Sequence, residues 1–322
     1  MYHIAILAGG FEAERVVSLK SAQVVKNNLD PSQYQPYIID IDSDSWKEES
    51  GIPVDKNDFS IIKDGKKIRF DACFMAIHGS PVEDGVIQGY LEMLRIPYTG
   101  CDGRTMAITM DKILTKQILR DSYHIRTARF EVYQRGEILD ISRFEHLGYP
   151  MFIKPNSVGS SFGVTKVKEP AQIQKAIEDA LHHDETVIIE EYIAGREFAH
   201  GVLQENDNIH ILPITEIIPE NEFFDYEAKY EGKSKEVTPA ENLPESIQNE
   251  MYEITEKVFR VMNCKGLARV DYLLRGDELF FLEVNTIPGL SEASIYPQQL
   301  VHFGLTLEKG FGILIENVLK KN

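Results

Sequence analysis

The chain has 322 residues, of which 43% are hydrophobic and 26% charged, ordinary values for a globular protein of about two or three domains. Its formal net charge of −17 leaves no basic surplus to neutralise phosphates. That excludes a nucleic-acid or anionic-membrane partner but leaves room for a single nucleotide.

From the N-terminus, residues 1–8 are apolar but brief and end at Gly9-Gly10. Lacking a basic leader and a long apolar core, they predict a first strand and not a signal peptide. No run approaches the length of a membrane span, so the chain is expected in the cytoplasm. Cys73, Cys101 and Cys264 lie far apart without metal-ligand spacing, which predicts buried or partly buried free thiols in a reducing compartment. Up to about residue 100, strand and helix signals alternate. Strands are expected over 4–7, 37–41 and 72–77, and helices over 14–29 and 86–94. Such alternation predicts a parallel α/β sheet, whose ligands sit at the carboxyl ends of strands. Two loops leave such ends, at residues 9–15 and 78–85. The second gathers His78, Glu83 and Asp84; a helix cap with acids complementing the dipole is the competing reading.

Beyond about 101 the character changes. A helix over 105–123 precedes strands over 130–133 and 151–154. The latter runs into Pro155-Asn156-Ser157-Val158-Gly159-Ser160-Ser161-Phe162-Gly163. Small residues let backbone N–H groups approach phosphate oxygens, although no Gly-Lys-Ser/Thr makes this a Walker loop; a plain hairpin turn competes. Lys154, which follows an apolar pair, favours phosphate because an inward lysine needs an anion. Ile173, Ala176, Ile177, Ala180 and Leu181 then mark an amphipathic helix after Pro170. A strand over 186–190 leads to Glu190, Glu191 and Glu197 around Gly195, where one carboxylate could hold a ribose or all three could be acidic surface. Residues 223–230 place four aromatics in eight positions and are expected to form a lid closing on substrate.

A helix marked by Met251, Ile254, Val258 and Met262 delivers the chain to two strands, 268–274 and 278–285, joined at Arg275-Gly276-Asp277. Side chains alternate faces along a strand. A hairpin centred near Asp277 therefore sets Asp271 opposite Glu283 and Arg269 opposite Asn285. Two carboxylates, an amide oxygen and a guanidinium then share one face, a set suited to Mg²⁺ and a nucleotide. A charged outer face of a surface hairpin is the alternative. The adjoining Ile287-Pro288-Gly289-Leu290-Ser291 offers backbone N–H groups as an oxyanion site.

Taken in order, GGFEAERVVSL, HGSPVEDGVIQGYLE, YTGCDGRTMAITMDK, FIKPNSVGSSFGVTKV, IIEEYIAGREF, FFDYEAKY, ARVDYLL and FLEVNTIPGLSEAS resemble the D-alanine–D-alanine ligase family of the ATP-grasp superfamily over nearly the whole chain. The resemblance implies an ATP-grasp fold of mixed α/β and α+β character. It comprises an N-terminal Rossmann-like domain (1–100), a central ATP-grasp subdomain (101–185) and a C-terminal one (186–322) carrying lid and metal site. It implies ATP and two Mg²⁺ (or Mn²⁺) ions, the metals held by Asp271, Glu283 and Asn285. Lys112 and Lys154 would contact phosphates, joined by Lys229 from the lid. Glu190, Glu191 and Ile193 would meet adenine, largely through backbone, and Glu197 the ribose. Glu14, near His78, would bind the ammonium of the first D-alanine, and Glu14, Ser160 and Tyr230 would tie the lid to the first domain. Ser294 would hold the second D-alanine's carboxylate, and Arg269 with the Gly289 N–H would stabilise the oxyanion.

The implied activity joins two D-alanines through a D-alanyl phosphate for peptidoglycan precursors. The partners are small molecules, with a homodimer left open. Ligation to D-lactate, another carboxylate–amine ligation, and an idle nucleotide-binding protein are the alternatives. Tyr230 in the lid speaks against the first, and the retained Arg269, Asp271, Glu283 and Asn285 against the last. Three positions depart from the family's usual residues, namely Glu12, Val82 and Cys101-Asp102, all in or beside the first substrate region.

Overall fold

A computed structural model describes residues 1–11, 14–159, 161–219 and 234–320. The first sheet grows from the apolar N-terminal run. Its strands are β1 (Tyr2–Gly9), β2 (Tyr34–Ile41), the short β3 (Trp46–Glu48) and, after a β4 (Ser60–Lys63)–β5 (Lys66–Arg69) hairpin, β6 (Ala72–Met75). The order is β3-β2-β1-β6, with β1 parallel to both β2 and β6. Ile4 to Ala8 are wholly buried, as expected of a parallel strand covered on both faces. Helix α1 (Arg15–Asn27) covers one face through Ala22 and Val25. Helix α2 (Val86–Met93) packs Ile87 and Leu91 into the core on the other. The loops at Gly9 and His78 both leave carboxyl ends of strands, as expected.

One expected helix is two. Instead of a single helix over 105–123, α3 (Gly103–Met110) and α4 (Lys112–Gln117) are separated by Asp111, and a π-turn (Ile118–Ser122) follows. Asp111 has extended backbone and its Oδ1 accepts from Leu114 N at 2.8 Å. A side chain able to cap a new helix ends the old one, and so Lys112 begins a helix aimed at the glycine loop.

The central sheet has the order β7-β10-β8-β9, built from β7 (Phe130–Gln134), β8 (Met151–Pro155), β9 (Thr165–Val167) and β10 (Thr186–Glu191), all antiparallel. Helix α5 (Ile173–Leu181) buries Ile173, Ala176, Ile177 and Ala180 against it. Because β10 pairs with β7 and β8, this sheet ends after Glu191 and not at the expected 185.

The third sheet, β13-β12-β11-β14-β15, includes a long hairpin unforeseen in the sequence, β11 (Arg196–Glu205) and β12 (Asn208–Pro219), with edge strand β13 (Ser234–Val237). Its other side is β14 (Leu267–Arg275) and β15 (Glu278–Asn285). Helix α6 (Glu245–Val261) packs Met251, Val258 and Phe259 on one face with Val270 and Tyr272. Helices α7 (Ile295–His302) and α8 (Leu307–Leu319) pack Tyr296, Leu300 and Phe311 with Leu203, Leu212 and Leu267 of the sheet. Phe311 also stacks edge-on against Phe74 of β6, centroids 5.7 Å apart, so α8 joins the third sheet to the first. All three cysteines are buried free thiols, as expected.

Candidate active site

The β14–β15 hairpin has the expected pairings, Arg269 opposite Asn285 and Asp271 opposite Glu283, but by another route. The turn holds only Gly276 and Asp277, since Arg275 pairs with Glu278. Gly276 takes φ +60°, which a tight hairpin turn requires. One extra residue, Leu282, then bulges between Phe281, opposite Tyr272, and Glu283, opposite Asp271. A bulge shifts facing by one. Leu279 and Phe281 before it, and Val284 after it, therefore share one core with Val270 and Tyr272, while Glu283 and Asn285 join Arg269 and Asp271 on the opposite face. Asp271 is buried. Its carboxylate takes Arg269 Nε at 2.8 Å and Nη2 at 2.7 Å, and Asn285 Nδ2 at 3.0 Å. Arg269, expected at an oxyanion, has its fork anchored on Asp271. Among the described residues no three His, Cys, Asp or Glu side chains cluster. The set is two carboxylates and an amide whose oxygen points away from the bond its nitrogen donates. All-oxygen donors with few carboxylates fit Mg²⁺ completed by nucleotide phosphates.

Toward the central sheet lies a cavity of about 310 Å³ whose lining includes Lys112, Lys154, Glu190, Ile193, Glu197 and Glu283. Ile193, Ala128, Leu273 and Phe280 form an apolar cluster at one end, suited to a planar base. Lys154 is buried on β8 and ion-paired with Glu190. The other Glu190 oxygen lies 2.7 Å from the Nζ of Lys116, 1% exposed, a residue the sequence reading missed. Its signal was an α4 lysine one turn after Lys112, on a face that has to be buried. Burial would raise the Glu190 carboxyl, but Lys116 and Lys154 outweigh it and hold it at about 2. Lys112 Nζ donates to the carbonyls of Val158 (2.8 Å) and Asn156 (3.3 Å), stationing a cation beside the glycine loop. Glu191 turns outward to Arg129, 2.7 Å away, which leaves its backbone to the cavity.

Gly195 enters β11 under a tight constraint: a Cβ there would lie 2.1 Å from Leu274 O. Gly195→Ala is expected to push β11 from β14, lowering Tm by several degrees and weakening nucleotide binding, measured by calorimetry. An unchanged Tm would mean that the strands adjust freely.

A second cavity continues from the first, sharing Lys112, Gly159 and Glu283, and is lined further by Glu14, His78, Glu236, Arg269, Gly289 and Ser294. Glu14, at the start of α1, is buried and close to the glycine loop: a Cβ on Gly159 would lie 3.1 Å from its Oε2. His78 Nδ1 donates to Ile287 O at 3.0 Å, so the neutral ring's Nε2 accepts from Ser21 Oγ at 3.1 Å. Burial pushes its pKa down against the pull of Glu14 and the Ile287 carbonyl, which favours the neutral ring. A Cβ on Gly289 would lie 2.7 Å from Ser294 Oγ, so a side chain there would displace that hydroxyl. Ser294 stands immediately before α7, its hydroxyl not used to cap the helix, and its Oγ lies 2.7 Å from Ser291 Oγ. Of the departures from the family pattern, Val82 is in the core, Cys101 Sγ accepts from Lys265 N at 3.3 Å, and Asp102 caps α3; none of these lines the cavity. Ser160, Lys229, Tyr230, Glu12 and the expected lid at 223–230 lie outside the described residues.

Of the predicted site residues that are described, all but Asp271 line one of these two adjoining cavities, and Asp271 lies behind them, bonded to Arg269 and Asn285. Residues 3–101 match the family model "D-ala D-ala ligase N-terminus" and residues 121–319 the model "D-ala D-ala ligase C-terminus". A D-alanine–D-alanine ligase of Phocaeicola vulgatus is 41% identical, with 98% of each chain covered. Among solved structures, a D-alanyl-alanine synthetase A from Vibrio cholerae superposes with TM-score 0.90 at 30% identity, covering 99% of this chain and 98% of that one. A D-alanine–D-alanine ligase from Bacillus anthracis complexed with ATP superposes with TM-score 0.81 at 29% identity, covering 100% and 98%.

Proposed function

The chain belongs to the D-alanine–D-alanine ligase family, and from that premise we propose that its cleft joins two D-alanines with ATP through an acyl phosphate, for peptidoglycan precursors. The carrying observation is the bulged hairpin that sets Arg269, Asp271, Glu283 and Asn285 on one face, where the two cavities meet. Adenine would occupy the apolar end by Ile193 and the ribose would lie by Glu197. Lys112 and Lys154 would hold phosphates. The first D-alanine would place its ammonium at Glu14 and its carboxylate toward Glu283. Asp271, Glu283 and Asn285 would hold Mg²⁺ or Mn²⁺, which supplies charge neutralisation for phosphoryl transfer.

The carboxylate oxygen of the first D-alanine attacks the γ-phosphorus, and ADP departs with the bond electrons. A carboxylate is a poor electrophile and phosphorylation gives it a leaving group. The second amine then attacks the acyl carbon and phosphate leaves. Arg269, positioned by Asp271, and the Gly289 N–H stabilise the developing oxyanion; losing such a donor typically costs on the order of 10²–10³ in rate. Among the described residues no helix is long and apolar enough to cross a membrane; the reaction proposed would run in the cytoplasm, where ATP is.

Phosphate release with D-Ala, L-Ala, D-Ser and D-lactate, with products identified by mass, tests this. D-Ala is expected to give the dipeptide. A faster reaction with D-lactate as second substrate at neutral pH, or no D-Ala-dependent phosphate, would overturn it.

A further inference from the structure

The second amino acid enters as an ammonium and has to lose a proton before its nitrogen can attack. Of the residues lining the substrate cavity, we propose that Glu236 takes that proton, a role that rests on the ligase reading above. Glu236 lies on edge strand β13 opposite Ile217, which faces Glu197 of β11, which faces Leu273 of β14. Directly opposed residues share a sheet face. Glu236 is therefore on the same face as Arg269 and Asp271, under α7, where Ile217 packs on Ala199 and Ile295. It is half-buried and lines the cavity that holds Gly289 and Ser294.

Gln298 of α7 fixes its orientation: Nε2 donates to Glu236 Oε2 at 3.0 Å and to Ala293 O at 3.1 Å. An amide donor on one oxygen steers the carboxylate without neutralising it, unlike the bidentate Arg269 on Asp271. Burial raises its proton affinity, opposed by Gln298 and Arg269, which moves a carboxylate toward useful basicity. The other ionisable groups lining the cavity are Glu14, Glu83, Glu283, His78 and Lys112. Glu283 belongs to the metal set and Glu14 and His78 to the first-substrate end. Glu83 Oε2 accepts from Gly79 N at 2.7 Å, on the same side as His78. Among the acids lining the cavity, Glu236 is the one bonded to α7, the helix that Ser294 precedes.

The protons balance. One passes from the ammonium to a Glu236 oxygen, and the freed lone pair forms the C–N bond. The acyl C–O bond breaks with its electrons on phosphate, which takes the second N–H proton. Glu236 then returns its own proton to solvent.

Glu236→Gln preserves shape and can still pair with Gln298. Dipeptide formation in this variant is expected to fall about 10²–10⁴-fold and to rise with pH as free amine becomes available. With hydroxylamine as nucleophile, already unprotonated at neutral pH, hydroxamate formation from D-Ala and ATP is expected within a few-fold of wild type. Equal losses with both nucleophiles would mean a merely structural role, and dipeptide formation near the wild-type rate would mean none; either overturns the assignment. A wild-type protein forming neither product would instead overturn the ligase reading, and this one with it.

Discussion

Asp271→Asn is expected to lower D-Ala-dependent ADP formation about 10²–10³-fold with the fold retained. A bound divalent cation contributes several kcal/mol to the stabilisation of transition-state charge, and each 1.4 kcal/mol is about tenfold. The substitution acts twice. It removes one of two carboxylates from an already sparse ligand set, and it changes what Arg269 and Asn285 meet. Asp271 accepts three N–H bonds from them, and an amide's NH₂ would oppose one of those donors. Arg269 then loses the partner that aims it. The expected signature is a higher Mg²⁺ requirement together with a lower maximal rate, and circular dichroism would verify folding. Wild-type turnover at ordinary Mg²⁺ would remove Asp271 from the metal set.

Lys116→Met is expected to destabilise the protein by about 3–5 kcal/mol, because it leaves a buried carboxylate with one cation in place of two. Glu190 would then be neutralised by Lys154 alone, whose charge would be less available to phosphates. Adding Glu190→Gln removes the acceptor that Lys116 served but leaves the buried Lys154 without its ion-pair partner, so the double variant is expected to lose less than the sum of the two single losses. Strict additivity of the two losses would show that the pair is not coupled. The same pair predicts a pH effect. The Glu190 carboxyl is held at about 2 against an ordinary 4.5, so between those values the unfolded chain binds the proton more readily. Its contribution is present above pH 4.5 and is lost as pH falls from there toward 2. Lys116→Met should shrink that acid-sensitive step, which urea denaturation at stepped pH would measure.

The metal face was legible because residue type and strand parity pointed the same way. The route to it was not. A two-residue turn without a bulge would have put Asp271 opposite Leu282, and nothing in Phe280-Phe281-Leu282 marks which residue steps out of the ladder. The β11–β12 hairpin escaped notice because Phe198 to Leu203 are buried throughout, which erases the alternation by which a half-exposed strand is recognised. Asp111 was hidden by apolar periodicity continuing on both sides of it. Lys116 was legible only in principle, since its partner Glu190 lies on β10, far along the chain from α4. Glu236 looked like one acid among many in a chain of −17, and only the register through the two intervening strands, β12 and β11, brings it to the cleft.

The Phe311–Phe74 packing also bears on synthesis. Ile4, Ile6 and Phe74 share a cluster with Leu290, Tyr296, Leu300 and Phe311. While the ribosome is still extending the chain, α1 alone covers that side of the first sheet, and only in part. That face is completed by residues made long after it, so maturation is expected to be slow, governed by sequence-distant closure. In the interval the nascent N-terminal segment is a natural client for chaperones.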